Sequence, residues 1–210
     1  METETKRLGK TPSIRRMSLY LNRLKMYQEK GIEIVTSTDL AADIDVLPVV
    51  VKKDLQLVEP PTKKRAGYLV SGTINAITAF LGWDKPKSAI LIGVGHLGSA
   101  LLGYRGFSAL TFVAAFDTDV KKIGTTIHNI PVLNIRNLSE FLKKRKIDIA
   151  VLTMPSEQAQ ATVDLLMQEH IRAVWNFTRA KIHVPPHVAL QREDLSAGLA
   201  ELSAKIKNNQ

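Results

Sequence analysis

The sequence predicts an α/β protein: a small helical unit, then a parallel β-sheet with helices on both faces, then one final helix. Three observations predict it. From residue 88 onward, apolar strand-like segments alternate with helical ones, which is typical of a parallel sheet. A glycine-rich turn follows the first of those strands, and helical spacing with clear caps precedes residue 70.

The first 70 residues predict a helix, a short helix, a tight turn, another helix and a basic loop. Apolar residues at helical spacing mark a helix over 14–28, and residues 36–39 (TSTD) offer caps for the next one. Pro48 suits the first position of the third helix, VVVKKDLQLV, and the basic run 63–65 follows it. This order is typical of a winged helix-turn-helix, in which the second helix of the pair enters a major groove. A small helical cap on the next domain is the alternative.

The rest of the chain predicts a linking helix, a nucleotide-binding type of sheet and a last helix. The linking helix covers residues 70–82, so we expect domains at 1–82, 83–190 and 191–210. The last segment is amphipathic and could dock on the sheet or on a second subunit; its apolar face holds Leu195, Leu199, Leu202 and Ile206.

Composition narrows the class of protein. The chain has 210 residues, 45% of them hydrophobic, a net charge of +9 and no cysteine. Disulfides, thiolate catalysis and cysteine-bound zinc are thereby excluded, and a reducing cytoplasm is the expected location. We expect no membrane association, because no apolar run approaches about 20 residues and METETKRLGK has no apolar signal region. The positive charge favours a polyanionic partner.

The segment AILIGVGHLGSALL carries the strongest motif, Gly93-Val94-Gly95-His96-Leu97-Gly98. It follows an apolar strand and opens an apolar helix, which is the context that a dinucleotide fingerprint requires. The first glycine permits the tight turn, the second lets pyrophosphate approach the backbone, and the third lets helix and strand pack closely.

Asp117 ends the next strand, LTFVAAFD, at about the spacing of 20 residues expected for the acid that binds the adenosine ribose. Its charge would repel a 2′-phosphate, which favours NAD over NADP. Thr153 and Pro155 end a later strand, and Asn176 ends the one after it, so all three are expected near the nicotinamide.

No catalytic constellation accompanies this motif. None of the five histidines has a metal-ligand spacing, and no acid or base is evident beside the nicotinamide. The cofactor is therefore expected to act as a signal, in a protein that is not an enzyme and holds no metal. Two alternatives stay open: an NAD-dependent oxidoreductase with a helical cap, and a CoA- or nucleotide-binding scaffold.

Taken together, these segments resemble Rex, the family of bacterial redox-sensing transcriptional repressors. The resemblance runs from about residue 14 to residue 206 and rests on VVVKKDL, ILIGVGHLGSALLGY, VAAFDTDVKKIG, IPV, IDIAVLTMPSEQAQ, IRAVWNFTRAKIHVP and DLSAGLAELS. It implies a homodimer with a winged helix, a Rossmann domain and a C-terminal helix swapped between subunits. It also implies operator binding when NAD is abundant and release when NADH rises.

The resemblance assigns roles to single residues. It places Gly93 to Gly98 at the phosphates and Asp117 at the ribose, and it makes Tyr104 and Asp194 parts of the switch. The DNA-binding positions are Lys52, Lys53, Gln56, Lys63, Lys64 and Arg65.

The sequence departs from the family pattern mainly on the DNA-binding side. Lys52 stands where the family has arginine, and Gln56-Leu57-Val58-Glu59 replaces Ser-Tyr-Phe-Gly. The wing lacks its first two glycines, and Asn22 aligns with an arginine of the switch. An altered operator, or weaker DNA binding, is therefore expected.

Overall fold

A computed structural model describes residues 11–63 and 66–208. The chain forms two compact units, Met1–Lys85 and Pro86–Gln210. Each unit has its own hydrophobic core.

The described part of the N-terminal unit consists of four α-helices and a small antiparallel sheet. Its elements are α1 (Thr11–Glu29), β1 (Ile34–Val35), α2 (Ser37–Asp43), α3 (Pro48–Leu55), β2 (Thr62–Lys63), β3 (Gly67–Leu69) and α4 (Val70–Phe80). The strand order is β1-β3-β2. A helix-turn-helix followed by a two-stranded wing is the winged-helix arrangement that the sequence predicts.

Local chemistry sets the boundaries of the helix-turn-helix. The Thr36 hydroxyl accepts from the Asp39 N–H, and the Asp39 carboxylate accepts from the Thr36 N–H, which forms a capping box at the start of α2. Asp45 adopts a φ of +56° in the turn, and Pro48 occupies the first turn of α3. The helices pack around a buried core that includes Met17, Tyr20, Leu21, Leu24, Leu40, Val51, Leu55 and Ile77.

The C-terminal unit is a seven-stranded sheet with helices. Its strands are β4 (Lys87–Ile92), β5 (Leu110–Asp117), β6 (Thr126–Ile127), β7 (Ile130–Asn134), β8 (Ile149–Leu152), β9 (Ala173–Asn176) and β10 (Ala189–Arg192). Its α-helices are α5 (His96–Leu102), α6 (Leu138–Lys144), α7 (Ala159–Met167) and α8 (Ser196–Asn208). The strand order is β10-β9-β8-β4-β5-β7-β6, and only β6 runs antiparallel to its neighbour.

Successive side chains of the central strands enter opposite faces of this sheet. In β4, Ile90 and Ile92 belong to one buried cluster, and Leu91 belongs to the other. Both faces of the central strands are therefore covered, which explains why their sequences are continuously apolar. The strand order reverses at β4, between β5 on one side and β8 on the other, so the carboxyl ends of β4 and β8 lie side by side. A ligand is expected at this switch point.

Three elements differ from the sequence prediction. The stretch after β5, for which no regular structure was predicted, forms the β6–β7 hairpin with His128 and Asn129 at positive φ. Strand β10 (Ala189–Arg192) is a further strand that the sequence does not predict, and the domain boundary expected at 190 stays a prediction. The predicted helix after β8 begins as a 3-10 turn over Ser156–Gln158.

The last helix, α8, exposes the apolar face that the sequence predicts. Leu199 is 64% exposed, and Leu195, Leu202 and Ile206 are exposed as well. Exchange of this helix between subunits stays a prediction. Among the described residues, no helix is long and apolar enough to cross a membrane, and no group of three or more potential metal ligands occurs.

Candidate functional site

The glycine turn between β4 and α5 leaves its backbone open to a ligand. Gly93 has a φ of +96°, and a Cβ there would lie 2.7 Å from the backbone N and Cα of Met154. A Cβ on Gly98 would clash with the Gly93 carbonyl, so the third glycine allows the helix to start close to the strand. Apart from its own chain neighbours, no atom of the described residues lies within 4 Å of the Cβ position of Gly95, so the space over the second glycine is open.

Asp117, the last residue of β5, is held beside this turn. Its Oδ2 accepts a hydrogen bond from the Val94 N–H at 2.7 Å, and its Oδ1 accepts from the Asp119 N–H at 2.9 Å. The Lys122 ammonium lies 3.4 Å from Oδ2. Burial alone would raise the pKa of Asp117, but these N–H groups and the lysine outweigh it and hold the pKa below its usual value. The carboxylate is therefore anionic at neutral pH and partly exposed to a ligand.

A cavity of about 510 Å³ lies at the carboxyl ends of β4, β5 and β8. Its wall includes Gly93, Gly95, Asp117, Lys122, Thr153, Met154, Pro155 and Gln158. The Thr153 hydroxyl donates to the Gly93 carbonyl at 2.7 Å, which ties the end of β8 to the glycine turn. Five of the residues expected from the sequence thus meet in one cavity at the switch point: Gly93, Gly95, Asp117, Thr153 and Pro155.

The remaining predicted cofactor residues flank this cavity in different ways. Val94 is buried and contributes its N–H to Asp117, whereas His96 is exposed at the start of α5 and Leu97 is half-buried. Asn176 is fully buried, and its amide bonds Thr178 and the Ala180 carbonyl, so it shapes the loop after β9. Its predicted contact with the nicotinamide stays a prediction.

A larger cavity of about 860 Å³ lies at the opposite edge of the sheet, beside the amino-terminal ends of the strands. Parallel α/β sheets bind ligands at their carboxyl edge, where the turns open between helices. The cavity at Asp117 is therefore the candidate site, although it is the smaller one.

An aromatic cluster surrounds Tyr104, which follows α5 and is 59% exposed. Its ring meets that of Phe107 edge to face at 4.7 Å, and Phe107 meets Trp175 at 5.2 Å. The Trp175 indole N–H donates to Glu193, the residue before Asp194. Sequence reasoning missed this cluster, because Phe107 and Trp175 are distant in sequence and belong to no motif.

Asp194 lies just before α8. Its carboxylate accepts hydrogen bonds from the N–H and the hydroxyl of Ser196, and these bonds hold the pKa of Asp194 below its usual value. In a single chain, Asp194 therefore acts as a local cap for α8. Its predicted part in a switch stays a prediction.

The third helix presents a polar, basic surface. Lys52 and Lys53 are exposed on α3, Gln56 is exposed directly after it, and Lys63 is exposed on β2. Lys64 and Arg65 of the predicted wing lie outside the described residues. Asn22 is exposed on α1, beside a groove that Arg23 and Asp43 also line.

Asp54 anchors the buried side of α3. It is only 3% exposed, and it accepts from the Arg16 guanidinium and from the Tyr20 hydroxyl, which donates at 2.8 Å. Burial tends to raise the pKa of Asp54, but the hydrogen bonds from Arg16 and Tyr20 lower it overall. Sequence reasoning did not find Arg16 or Tyr20, although their i, i+4 spacing on α1 is a usable signal.

Two family models match the chain. One, described as a CoA binding domain, matches residues 84–180, and the other, described as a putative DNA-binding protein N-terminus, matches residues 11–56.

Curated relatives match nearly the full length of the chain. The redox-sensing transcriptional repressor Rex of Treponema denticola is 42% identical over 93% of this chain and 94% of its own length. Its namesake from Bacteroides fragilis is 36% identical, over 95% and 91%.

Solved structures that are similar to the chain come from the same family as these relatives. The chain is similar to RSP, described as a Rex-family repressor, with a TM-score of 0.86 and 29% identity over 96% of this chain and 95% of that one. RSP has been solved with β-NADH, and with β-NAD⁺ and operator DNA; the TM-scores to this chain are 0.86 and 0.87, and each comparison covers 96% of it. The comparison with the β-NADH complex covers 96% of the RSP chain, and the comparison with the β-NAD⁺ and operator complex covers 94% of it.

Proposed function

Because the chain belongs to the Rex family of redox-sensing transcriptional repressors, we propose that it represses transcription in response to the NADH/NAD ratio. It binds operator DNA with NAD or without ligand, and it releases the DNA when NADH binds. Both cofactors occupy the cavity at the carboxyl ends of β4, β5 and β8.

The position of Asp117 carries this proposal. The carboxylate is anionic, lies at the end of β5 and bonds the N–H that follows the first glycine of the turn. A ribose with free 2′ and 3′ hydroxyls fits this acceptor, and a phosphate at either hydroxyl would be repelled. The geometry therefore supports NAD(H) against NADP(H), and also against CoA, whose ribose carries a 3′-phosphate.

The DNA partner is supported by α3 and the wing. Lys52, Lys53 and Lys63 are exposed cations on the third helix and on β2, where phosphate contacts are expected in a winged helix. A repressor acts where the DNA is, so the proposal also places the protein in the cytoplasm.

A homodimer is supported by α8. Three large apolar side chains of α8 (Leu199, Leu202 and Ile206) and Leu195 directly before it are exposed in a single chain, and burial of each would contribute about 1.5–3 kcal/mol. A second copy offers the same face, and closed twofold dimers bury such a patch on both subunits. Release of DNA then requires that NADH bind the DNA-incompetent form of this dimer more tightly than the competent form.

A sensor without catalysis fits the lining of the cavity. Among the described residues that line it, none is a histidine, and its one acid, Asp117, is held in its anionic form by backbone N–H groups and Lys122, so it has no proton to donate. The curated relatives are named repressors.

The proposal is tested by selection of binding sites. Purified protein is incubated with a random pool of DNA duplexes and NAD at fixed salt, and the enriched duplex is then titrated by fluorescence anisotropy. We expect NADH to release the duplex, and NADPH and CoA at the same concentration to leave it bound. Enrichment that NADH does not affect would contradict redox sensing. Release by CoA instead would assign the cavity to the other candidate ligand.

A further inference from the structure

One face of α3 combines cations with exposed apolar side chains. Val49, Lys52, Lys53 and Gln56 are all exposed and follow the spacing i, i+3, i+4, i+7, so they share one side of the helix. Val49 is 51% exposed, and Leu47, directly before the helix, is 68% exposed.

The opposite side of α3 fixes this orientation. Val51 and Leu55 are buried in the core, and Asp54 is held by Arg16 and Tyr20 of α1. Rotation of the helix to bury Val49 would expose these two apolar residues and break the buried hydrogen bonds. The exposure of Val49 is therefore built into the packing of the N-terminal unit.

Val49 and Leu47 occupy the end of the helix that matters for base recognition. In helix-turn-helix proteins, the N-terminal residues of the second helix contact the base edges. Lys52 and Lys53 follow within the next turn, so the apolar pair has cations beside it. This charge pattern suits a polyanionic partner more than an apolar protein surface.

In the major groove, the thymine C5-methyl is the apolar group that a base pair presents. We infer that Val49, with Leu47 beside it, contacts thymine methyl groups and is a specificity-determining residue for the operator. Each half-site then carries a T·A pair opposite the N-terminus of α3. The inference rests on the proposed function, because it requires that α3 enter a major groove.

Uracil substitution tests this contact directly. In the selected duplex, each thymine is replaced singly by uracil, which removes one methyl group and keeps the hydrogen-bonding edge. For the parent protein, we expect binding to weaken about fourfold at one or two positions of each half-site, the value of one buried methyl group. For Val49→Ala, the same replacements should have little further effect.

Lys53→Gln is the matched control on the same face of α3. It should weaken binding to every duplex and keep the uracil penalty, because a lysine has no contact to lose with the methyl group. Val49→Ala should keep the parent affinity for NADH, since Val49 belongs to the other compact unit.

The outcomes separate the inference from the function on which it rests. If NADH releases the duplex but no uracil weakens binding, or if the penalty persists in Val49→Ala, the inference is overturned and the repressor function stands. If no duplex is enriched while NADH still binds, the repressor function fails, and the inference fails with it.

Discussion

Asp54 of α3 and Arg16 of α1 form a partly buried ion pair, with Nε 2.6 Å and the second guanidinium nitrogen 3.0 Å from the two carboxylate oxygens. Tyr20 donates to the same carboxylate from the core. This pair fixes the position and rotation of the helix that is proposed to read DNA.

Loss of the carboxylate should destabilise the N-terminal unit. Asp54→Ala leaves the buried Tyr20 hydroxyl without its acceptor, and an unsatisfied buried group costs about 1–3 kcal/mol. We expect the free energy of unfolding to fall by about 2–3 kcal/mol, measured by urea denaturation. Asp43→Ala is the control: it removes the acceptor of the half-buried Tyr27 hydroxyl and should cost about 1 kcal/mol or less. Equal losses in the two variants would contradict the anchoring role of Asp54.

The same carboxylate should make the unit acid-labile. The pKa of Asp54 is lower in the folded chain than its ordinary value of 3.8, so the unfolded chain binds the proton first as the pH falls. The stability that the pair contributes should be complete well above pH 3.8 and decline as the pH falls through the folded pKa. Urea titrations between neutral pH and pH 3 should show a shallower decline for Asp54→Asn than for the parent. Parallel curves would exclude this group as the cause.

Substitution of Asp117 should change cofactor choice. Asp117→Ala removes the ribose acceptor, and a hydrogen bond to a charged group contributes about 1.5–3 kcal/mol, so NADH affinity should fall roughly 10- to 100-fold. Discrimination against NADPH should shrink, because the charge that repels the 2′-phosphate is gone. Calorimetric titration with both cofactors measures the two effects. Asp119→Ala is the control, since the Asp119 carboxylate is more exposed than that of Asp117. If Asp117→Ala discriminated against NADPH as strongly as the parent protein, Asp117 would not be the ribose acceptor.

Lys53 should contribute to DNA affinity without regard to sequence. If it neutralises one phosphate, Lys53→Gln lowers the slope of log affinity against log salt by about 0.9. The measurement is a series of anisotropy titrations between low and moderate salt. Lys121→Gln, an exposed lysine of the C-terminal unit, should leave the slope unchanged. An unchanged slope in Lys53→Gln would remove this residue from the interface.

A charge on the apolar face of α8 should separate the proposed dimer. Leu199→Asp removes about 2 kcal/mol of apolar burial from each of the two subunits and places a carboxylate in the contact, so dimer affinity should fall roughly 1,000-fold or more. Sedimentation equilibrium measures this change. Glu201→Gln, on another side of the helix, is the control. A monomeric parent protein, or a dimer that Leu199→Asp leaves intact, would contradict the role of α8.

The sequence predicts the cofactor cavity better than its surroundings. The glycine turn and Asp117 follow from local spacing, because one strand, one turn and one helix position them. The aromatic cluster and the Asp54 anchor escape prediction, since Trp175 meets Phe107, and Asp54 meets Arg16, only through tertiary packing. The β6–β7 hairpin was missed because its turn is formed by His128 and Asn129, without glycine.

The division into two units, each with its own core, has an evolutionary consequence. A substitution on the outer face of α3 disturbs neither the core of the C-terminal unit nor the glycine turn. The operator sequences that the protein recognises can therefore change during evolution while its cofactor site is conserved. A lineage could acquire a new set of target genes by changing a few residues such as Val49 and Gln56, without losing its response to the cofactor.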